Sequence, residues 1–393
     1  MQGQTIRFFC LALAALLSGC RSTRPAPIPI DVDLTDVPEA LHAGYQAMAR
    51  QGARNYVLNQ IEIGLDALQL CELRIAGRAF DAALDAIEST YAEDAAAKRA
   101  RSKFKSESEK TFRGEPYERV MAYYYRGILF ILEDDLENAR ACFRGGMRHD
   151  AFVEDEQHRN DFASLLYLEA WCSLRLGQAD TAADSLRFLR ELKPDAPVPA
   201  ADHNLLVIAE TGHSPRKVGV GANRSELTYE RGASSKAPRV TIGSRAQTLH
   251  ELEDVYWQAS TRGGRPVDRV LAGKVQFKDN MDGTGKALGA LGTGVLTHSQ
   301  TMKNRRKRQQ VELASAGVMV LGALFSSVGD SVKPEADLRR WRNLPDRLYL
   351  TSLASDAEVK LPKAANSASC RSAAASGTRL IWLRTPQHLC SGP

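Results

Sequence analysis

The chain has 393 residues, 44% of them hydrophobic and 25% charged, a composition that excludes wholesale disorder. Its 52 Lys and Arg against 47 Asp and Glu leave a net charge of +5, too small an excess over this length for a nucleic-acid-binding protein. No interior run of about 20 strongly apolar residues occurs, which excludes a polytopic helical membrane protein.

Residues 1–19 read as an export signal: Arg7, then the apolar run Phe8 to Leu17, too short to span a bilayer. Leu17-Ser18-Gly19-Cys20 resembles a bacterial lipobox. The resemblance implies cleavage before Cys20, a diacylglycerol on its sulfur and an acyl chain on the new amine, enough buried chain to hold a protein on a membrane. Arg21 stands where Asp directs retention at the inner membrane, so the periplasmic face of the outer membrane is expected. Residues 20–38 contain Pro25, Pro27, Pro29 and Pro38, an extended tether.

Residues 39–199 carry helical periodicity, and between 39 and 193 the one proline is Pro116. Three stretches repeat a spacing of 0, 12 and 16: Gly127, Ala139 and Phe143; Ala170, Ala182 and Leu186; and, more weakly, Cys71, Ala83 and Ile87, with Gly77 in the turn. The spacing resembles that of tetratricopeptide-like helical hairpins, here irregular because charged insertions separate the copies. Hairpins of this kind stack because none buries its apolar face alone, and the array is either a concave surface that binds a peptide or protein, the expected reading, or a helical domain that retains no groove. Tyr123, Tyr124, Arg126 and Arg140 are the candidate partner-binding residues. The aromatic stripe Tyr123, Tyr124, Tyr125 and Phe130 reads as packing more than recognition, but consecutive helical residues point about 100° apart, so one or two of the three tyrosines are expected to face outward.

Lys193 to Asp202 is a linker by composition, and 204–393 reads as a smaller α+β domain packing back on the helices. Strands are predicted over 204–210, 217–221, 238–243, 347–353 and 378–383, a helix or strand over 249–258, and a helix over 267–277. Within 282–332, five glycines precede the basic run Arg305, Arg306, Lys307 and Arg308, and Leu313 to Gly329 is uncharged. A helical hairpin fits this pattern. Its basic turn is either solvated or a contact for anionic lipid, lipopolysaccharide or peptidoglycan.

Site signatures of an enzyme are missing. Gly283-Thr-Gly285-Lys286-Ala287 lacks the first glycine of a phosphate loop, which would stand at Asn280, and has Ala287 in place of the Mg²⁺-binding hydroxyl. The eight histidines show no zinc-ligand spacing, and no Gly-x-Ser-x-Gly elbow occurs. No catalytic residue, metal or cofactor is expected. With Cys10 removed and Cys20 lipidated, five cysteines remain, an odd number. Cys71, Cys142 and Cys172 are expected as buried thiols, and Cys370 with Cys390, flanking the predicted strand at 378–383, as a disulfide.

Three stretches together resemble an uncharacterised family of bacterial envelope lipoproteins with tetratricopeptide-like repeats. They are Phe112-Arg-Gly-Glu-Pro-Tyr-Glu-Arg-Val-Met-Ala-Tyr-Tyr-Tyr-Arg-Gly127, Glu210-Thr-Gly212-His-Ser-Pro215-Arg-Lys217, and Ala336-Asp337-Leu-Arg339-Arg-Trp341-Arg-Asn-Leu344-Pro345. The resemblance spans about residues 40–352 and implies a periplasmic role with no catalytic residues to carry over. The expected function is that of a lipid-anchored adaptor binding a protein partner in an envelope assembly. The alternative is a structural envelope protein that contacts lipid, lipopolysaccharide or peptidoglycan through the basic segment.

Overall fold

A computed structural model describes residues 32–92, 111–151, 161–220, 226–261, 286, 290, 337–361, 368–373 and 377–386. A run of seven helices packed in pairwise hairpins is followed by a smaller mixed α/β region. The helices are α1 (Glu39–Gln51), α2 (Tyr56–Gln69), α3 (Leu73–Ala92), α4 (Pro116–Leu132), α5 (Leu136–Ala151), α6 (Ala163–Arg175) and α7 (Ala179–Leu192). In α2/α3, α4/α5 and α6/α7, one helix folds back on the other. Each hairpin turns through one left-handed residue, Cys71, Asp134 or Gly177, with φ near +60 to +73°.

Those three residues fix the register of the copies and correct the first one. Counting back seven positions from each gives Gly64, Gly127 and Ala170. The 0, 12, 16 spacing in the first copy is therefore Gly64, Ala76 and Phe80, not Cys71, Ala83 and Ile87. The packing agrees: a Cβ on Gly64 would stand 2.8 Å from the Phe80 ring, and one on Gly127 would run into the Phe143 ring. Gly77, expected in the turn, lies inside α3. Its glycine misled because the actual turn is made by Cys71, a side chain that rarely takes positive φ.

The second region contributes β1 (Leu205–Thr211), β2 (Arg216–Val220), β3 (Glu226–Glu230), β4 (Val240–Ile242), β5 (Arg245–Gln247), β6 (His250–Asp254), α8 (Val255–Ser260), β7 (Arg347–Leu353), β8 (Val359–Lys360), β9 (Ala368–Ala373) and β10 (Arg379–Thr385). Five of these strands form a sheet in the order β6-β7-β1-β10-β9, with β1 parallel to β10 and antiparallel to β7. β2 and β3 form a ribbon, and β5-β4-β8 a small three-stranded sheet.

All seven residues of β1 are buried, which explains its unbroken apolar run: both faces are covered. Leu206 and Ile208 join Leu348, Leu350, Leu380 and Trp382 in the core shared with the helices. Leu205, Val207 and Ala209 point the other way, into a second core with Val240, Ile242 and Val359 of the three-stranded sheet. The large sheet is thus a middle layer. Of the hairpin helices, those that meet it are the first of each pair: α2 and α4 contact β9, and α6 contacts β6, while α8 packs on β7. The predicted strands at 204–210, 217–221, 238–243, 347–353 and 378–383 correspond to β1, β2, β4, β7 and β10, and 249–258 divides into β6 and α8. No helix among the described residues is long and apolar enough to cross a membrane. Cys20, Cys390, the predicted helix at 267–277 and the 282–332 segment with Arg305, Arg306, Lys307 and Arg308 lie outside the described residues (286 and 290 apart).

Candidate functional site

Residues of 112–118, 214–217 and 337–343 converge on the N-terminus of α4. Pro116 occupies the first turn, where its missing N–H costs no hydrogen bond. Glu118 reaches back to accept the Glu115 N–H at 2.7 Å, half of a capping box. The same carboxylate accepts the Trp341 N–H at 2.8 Å and lies 3.3 Å from Lys217 Nζ. Lys217, 1% exposed, also faces Glu115 at 3.5 Å and donates to the Arg339 carbonyl at 2.7 Å. Arg339 chelates Asp337, donates to Asn55 Oδ1 at 2.7 Å, and lies with Lys217 over the Phe112 ring. Ser214 donates to the Trp341 carbonyl at 2.8 Å. Beyond it, Arg342 pairs with Glu62, and Asn343 donates to the Glu62 carbonyl and to Asp66 on α2.

A second buried cluster lies about two helical turns further along α4. Glu210, at the end of β1 and fully buried, accepts Tyr124 at 3.1 Å, Tyr125 at 2.8 Å, Trp382 Nε1 at 2.9 Å and Arg384 at 3.0 Å. Arg384, 1% exposed, also donates to the Asn343 carbonyl. Burial pushes the Glu210 carboxyl upward, against the opposing pull of Arg384 and the three neutral donors. A charge buried this deeply persists only when paired and hydrogen-bonded. The arrangement holds helices to sheet at a fixed register, and its charged groups are turned to one another rather than to solvent.

The candidate partner-binding residues take different places. Tyr123 is 8% exposed, donates to Glu88 and stacks on His149 at 5.2 Å. Tyr124 and Tyr125 are fully buried. The expectation that one or two of these tyrosines face outward is therefore corrected. α4 is wrapped by α3, α5 and the sheet region, so no side of it is free for them. Arg126 is buried against Asp81 at 2.7 Å, Glu133 at 3.5 Å and the face of Phe130 at 3.6 Å. Arg140 is half-buried and donates to Gln178, tying α5 to the turn before α7.

The cysteine pairing is also corrected. Cys370 bonds to Cys71, not to Cys390, with Cα atoms 5.6 Å apart. β9 pairs with β10 and runs beside α2, which carries Cys370 to the α2/α3 turn. Cys71 is thus an exposed turn residue rather than a buried thiol. Cys142 and Cys172 are free, the first half-buried with its thiol pushed up to about 12, the second fully buried and pushed up further, both by burial.

No known family, curated protein or solved structure matches this chain.

Among the described residues, no group of three or more His, Cys, Asp or Glu is placed to hold a metal ion. The large apolar side chains most exposed there are Phe188 and Leu192 on α7, Val220 on β2 and Trp257 on α8. Phe188 and Leu192 are one turn apart on the outer side of the last hairpin, 42% and 39% exposed, with Arg187 over the Phe188 ring. Sequence reasoning missed Glu118, Lys217, Glu210 and Arg384 as partners. A signal existed: Glu210 and Arg384 each stand inside an apolar strand pattern, where a charge needs a counter-charge.

Proposed function

We propose that this protein is a lipid-anchored adaptor, held through Cys20 at the periplasmic face of the bacterial outer membrane. Its tetratricopeptide-like hairpins carry a protein partner in an envelope assembly, and its role is binding rather than catalysis. The Leu17 to Cys20 pattern supports the anchor. The Cys71–Cys370 bridge supports an oxidising compartment. The first helices of the hairpins pack on the chain's own sheet, so the partner contact lies on their outer side.

The observation that carries this reading is the pair Phe188 and Leu192, exposed together on the final helix. Few apolar groups of this size stand out in the described surface, and paired exposure on one helix face marks an interaction site more than scattered exposure does. The test is affinity purification of the anchored protein from mildly cross-linked envelopes, comparing wild type with Phe188→Ser/Leu192→Ser. A stoichiometric protein recovered with wild type and lost with the variant is the expected result. Equal recovery with both would overturn the α7 assignment. Recovery of only lipid, lipopolysaccharide or wall fragments would overturn the adaptor and favour contact through Arg305, Arg306, Lys307 and Arg308.

A further inference from the structure

The bridge between Cys71 and Cys370 spans a sequence separation of 299. The free thiols of Cys142 and Cys172 lie between its two ends. In an unfolded chain, the probability of closing a loop falls as about the three-halves power of its length. Cys71 with Cys142 is a separation of 71, Cys142 with Cys172 of 30 and Cys370 with Cys390 of 20. Relative to the native pair, the same scaling favours these three by about 9-fold, 30-fold and 60-fold. Every one of them is non-native here.

A wrong bridge that takes Cys71 or Cys370 excludes the native pair, and Cys172, fully buried in α6, and Cys142, half-buried in α5, are both free thiols in the fold. A bridge from Cys370 to Cys390 removes the sulfur that holds β9 to the α2/α3 turn. The native pair becomes the favoured one only after the first hairpin and β9 are both docked, and β9 is placed through β10, close to the end of the described chain.

We infer that this protein is an obligate substrate of thiol–disulfide isomerisation: it acquires Cys71–Cys370 by reshuffling wrong bridges, not by direct oxidation. The partner is a dithiol isomerase. The initial oxidation removes two electrons and two protons from a thiol pair and delivers them to a disulfide oxidant, which becomes a dithiol. Reshuffling of a single bridge is redox-neutral, and a chain oxidised to two bridges gives up the second by exchange with reduced glutathione, two of which leave as glutathione disulfide. An isomerase thiolate attacks a wrong bridge, forms a mixed disulfide with one sulfur and releases the other as a thiolate. Cys71 or Cys370 then attacks the substrate sulfur of the mixed disulfide and releases the isomerase thiolate; where that sulfur belongs to neither, the other native thiolate next attacks the new bridge at Cys71 or Cys370 and releases the intervening cysteine as a thiolate. This inference rests on the oxidising compartment proposed above, and the following test does not, because the oxidant is added.

The full chain with Cys10→Ser and Cys20→Ser is reduced, denatured, oxidised with diamide and returned to native buffer. Bridges are mapped by mass spectrometry with and without a disulfide isomerase and reduced glutathione. The expected result is a Cys71–Cys370 fraction below about a tenth without isomerase, from the closure ratios, rising at least fivefold with it. Adding Cys142→Ala, Cys172→Ala and Cys390→Ala should abolish the dependence on isomerase. A Cys10→Ser/Cys20→Ser chain that reaches mostly Cys71–Cys370 with diamide alone would overturn the inference. So would one that settles on another bridge when isomerase is present. Either result is read from that chain, whether or not the alanine variant folds.

Discussion

Replacing Glu118 with Gln tests whether the junction at the start of α4 holds the two halves together. The carboxylate has two oxygens with different duties. One accepts the Trp341 N–H, and the other accepts the Glu115 N–H and faces Lys217. An amide has a single acceptor. In one orientation its NH₂ confronts the Trp341 N–H. In the other it confronts both the Glu115 N–H and the Lys217 ammonium. The Glu118 and Lys217 side chains are 0% and 1% exposed, so water does not replace the lost acceptor. Removing one member of a buried pair costs about 3–5 kcal/mol. Lys217 keeps Glu115 and the Arg339 carbonyl, which places the expected loss near about 3 kcal/mol. Urea unfolding should show a lower midpoint at unchanged slope. Combined with Lys217→Met, the double variant should recover about 2 kcal/mol relative to the sum of the two, because the orphaned charge is gone. A loss under about 0.5 kcal/mol for Glu118→Gln, the range of ordinary surface substitutions, would refute the argument that this contact joins helices to sheet.

Two further perturbations follow from other parts of the structure. Glu253 is buried between β6 and α6, where it accepts the Ser164 N–H and Gln258, and burial pushes its carboxyl up to about 8. Its folded value exceeds the unfolded value of about 4.3, so its contribution to stability is complete below that value and is lost as pH rises toward 8. Between pH 7 and 8, unfolding free energy should fall by up to about 1.4 kcal/mol, and Glu253→Gln should remove that slope; parallel curves for the two proteins would sink the assignment. The histidines His149, His203 and His213, held below their ordinary range chiefly by burial, titrate beneath this window. At Gly127, alanine gains about 1 kcal/mol of helix propensity but forces its methyl into the buried Phe143 ring, a cost of about 1–3 kcal/mol. Net destabilisation is expected by thermal melting, with Phe143→Leu relieving it; a stabilised Gly127→Ala would show that the helices separate freely.

Much of this architecture was legible as pattern. The helical stretches, the apolar strands β1, β7 and β10, and the repeated spacing all follow from periodicity and from proline placement. What failed was local punctuation. The first hairpin turns at Cys71 while a glycine stands mid-helix at Gly77, so the visible turn signal pointed six residues off. β9 reads Ala-Ser-Cys-Arg-Ser-Ala, with too few large or branched residues to announce a strand. The tyrosines of α4 were misjudged because a helix face takes its environment from what covers it: Tyr123 is covered by Glu88 and His149 of the neighbouring helices, and Tyr124 and Tyr125 by Glu210 and other groups from beyond residue 200. The same separation hid the junction: Glu118, Lys217 and Trp341 are distant in sequence, and no spacing rule links them.

The position of β1 has a consequence for synthesis. It is the first strand after the helices, yet its two neighbours in the sheet, β7 and β10, come after residue 346. Seven buried residues therefore wait, without partners on either edge, for the rest of the chain. A message cut short anywhere before β10 yields a polypeptide with a naked apolar centre, an open target for proteases and chaperones. The sheet order acts as a completeness check: only chains carried through to their closing strand can hide the one that opened the sheet.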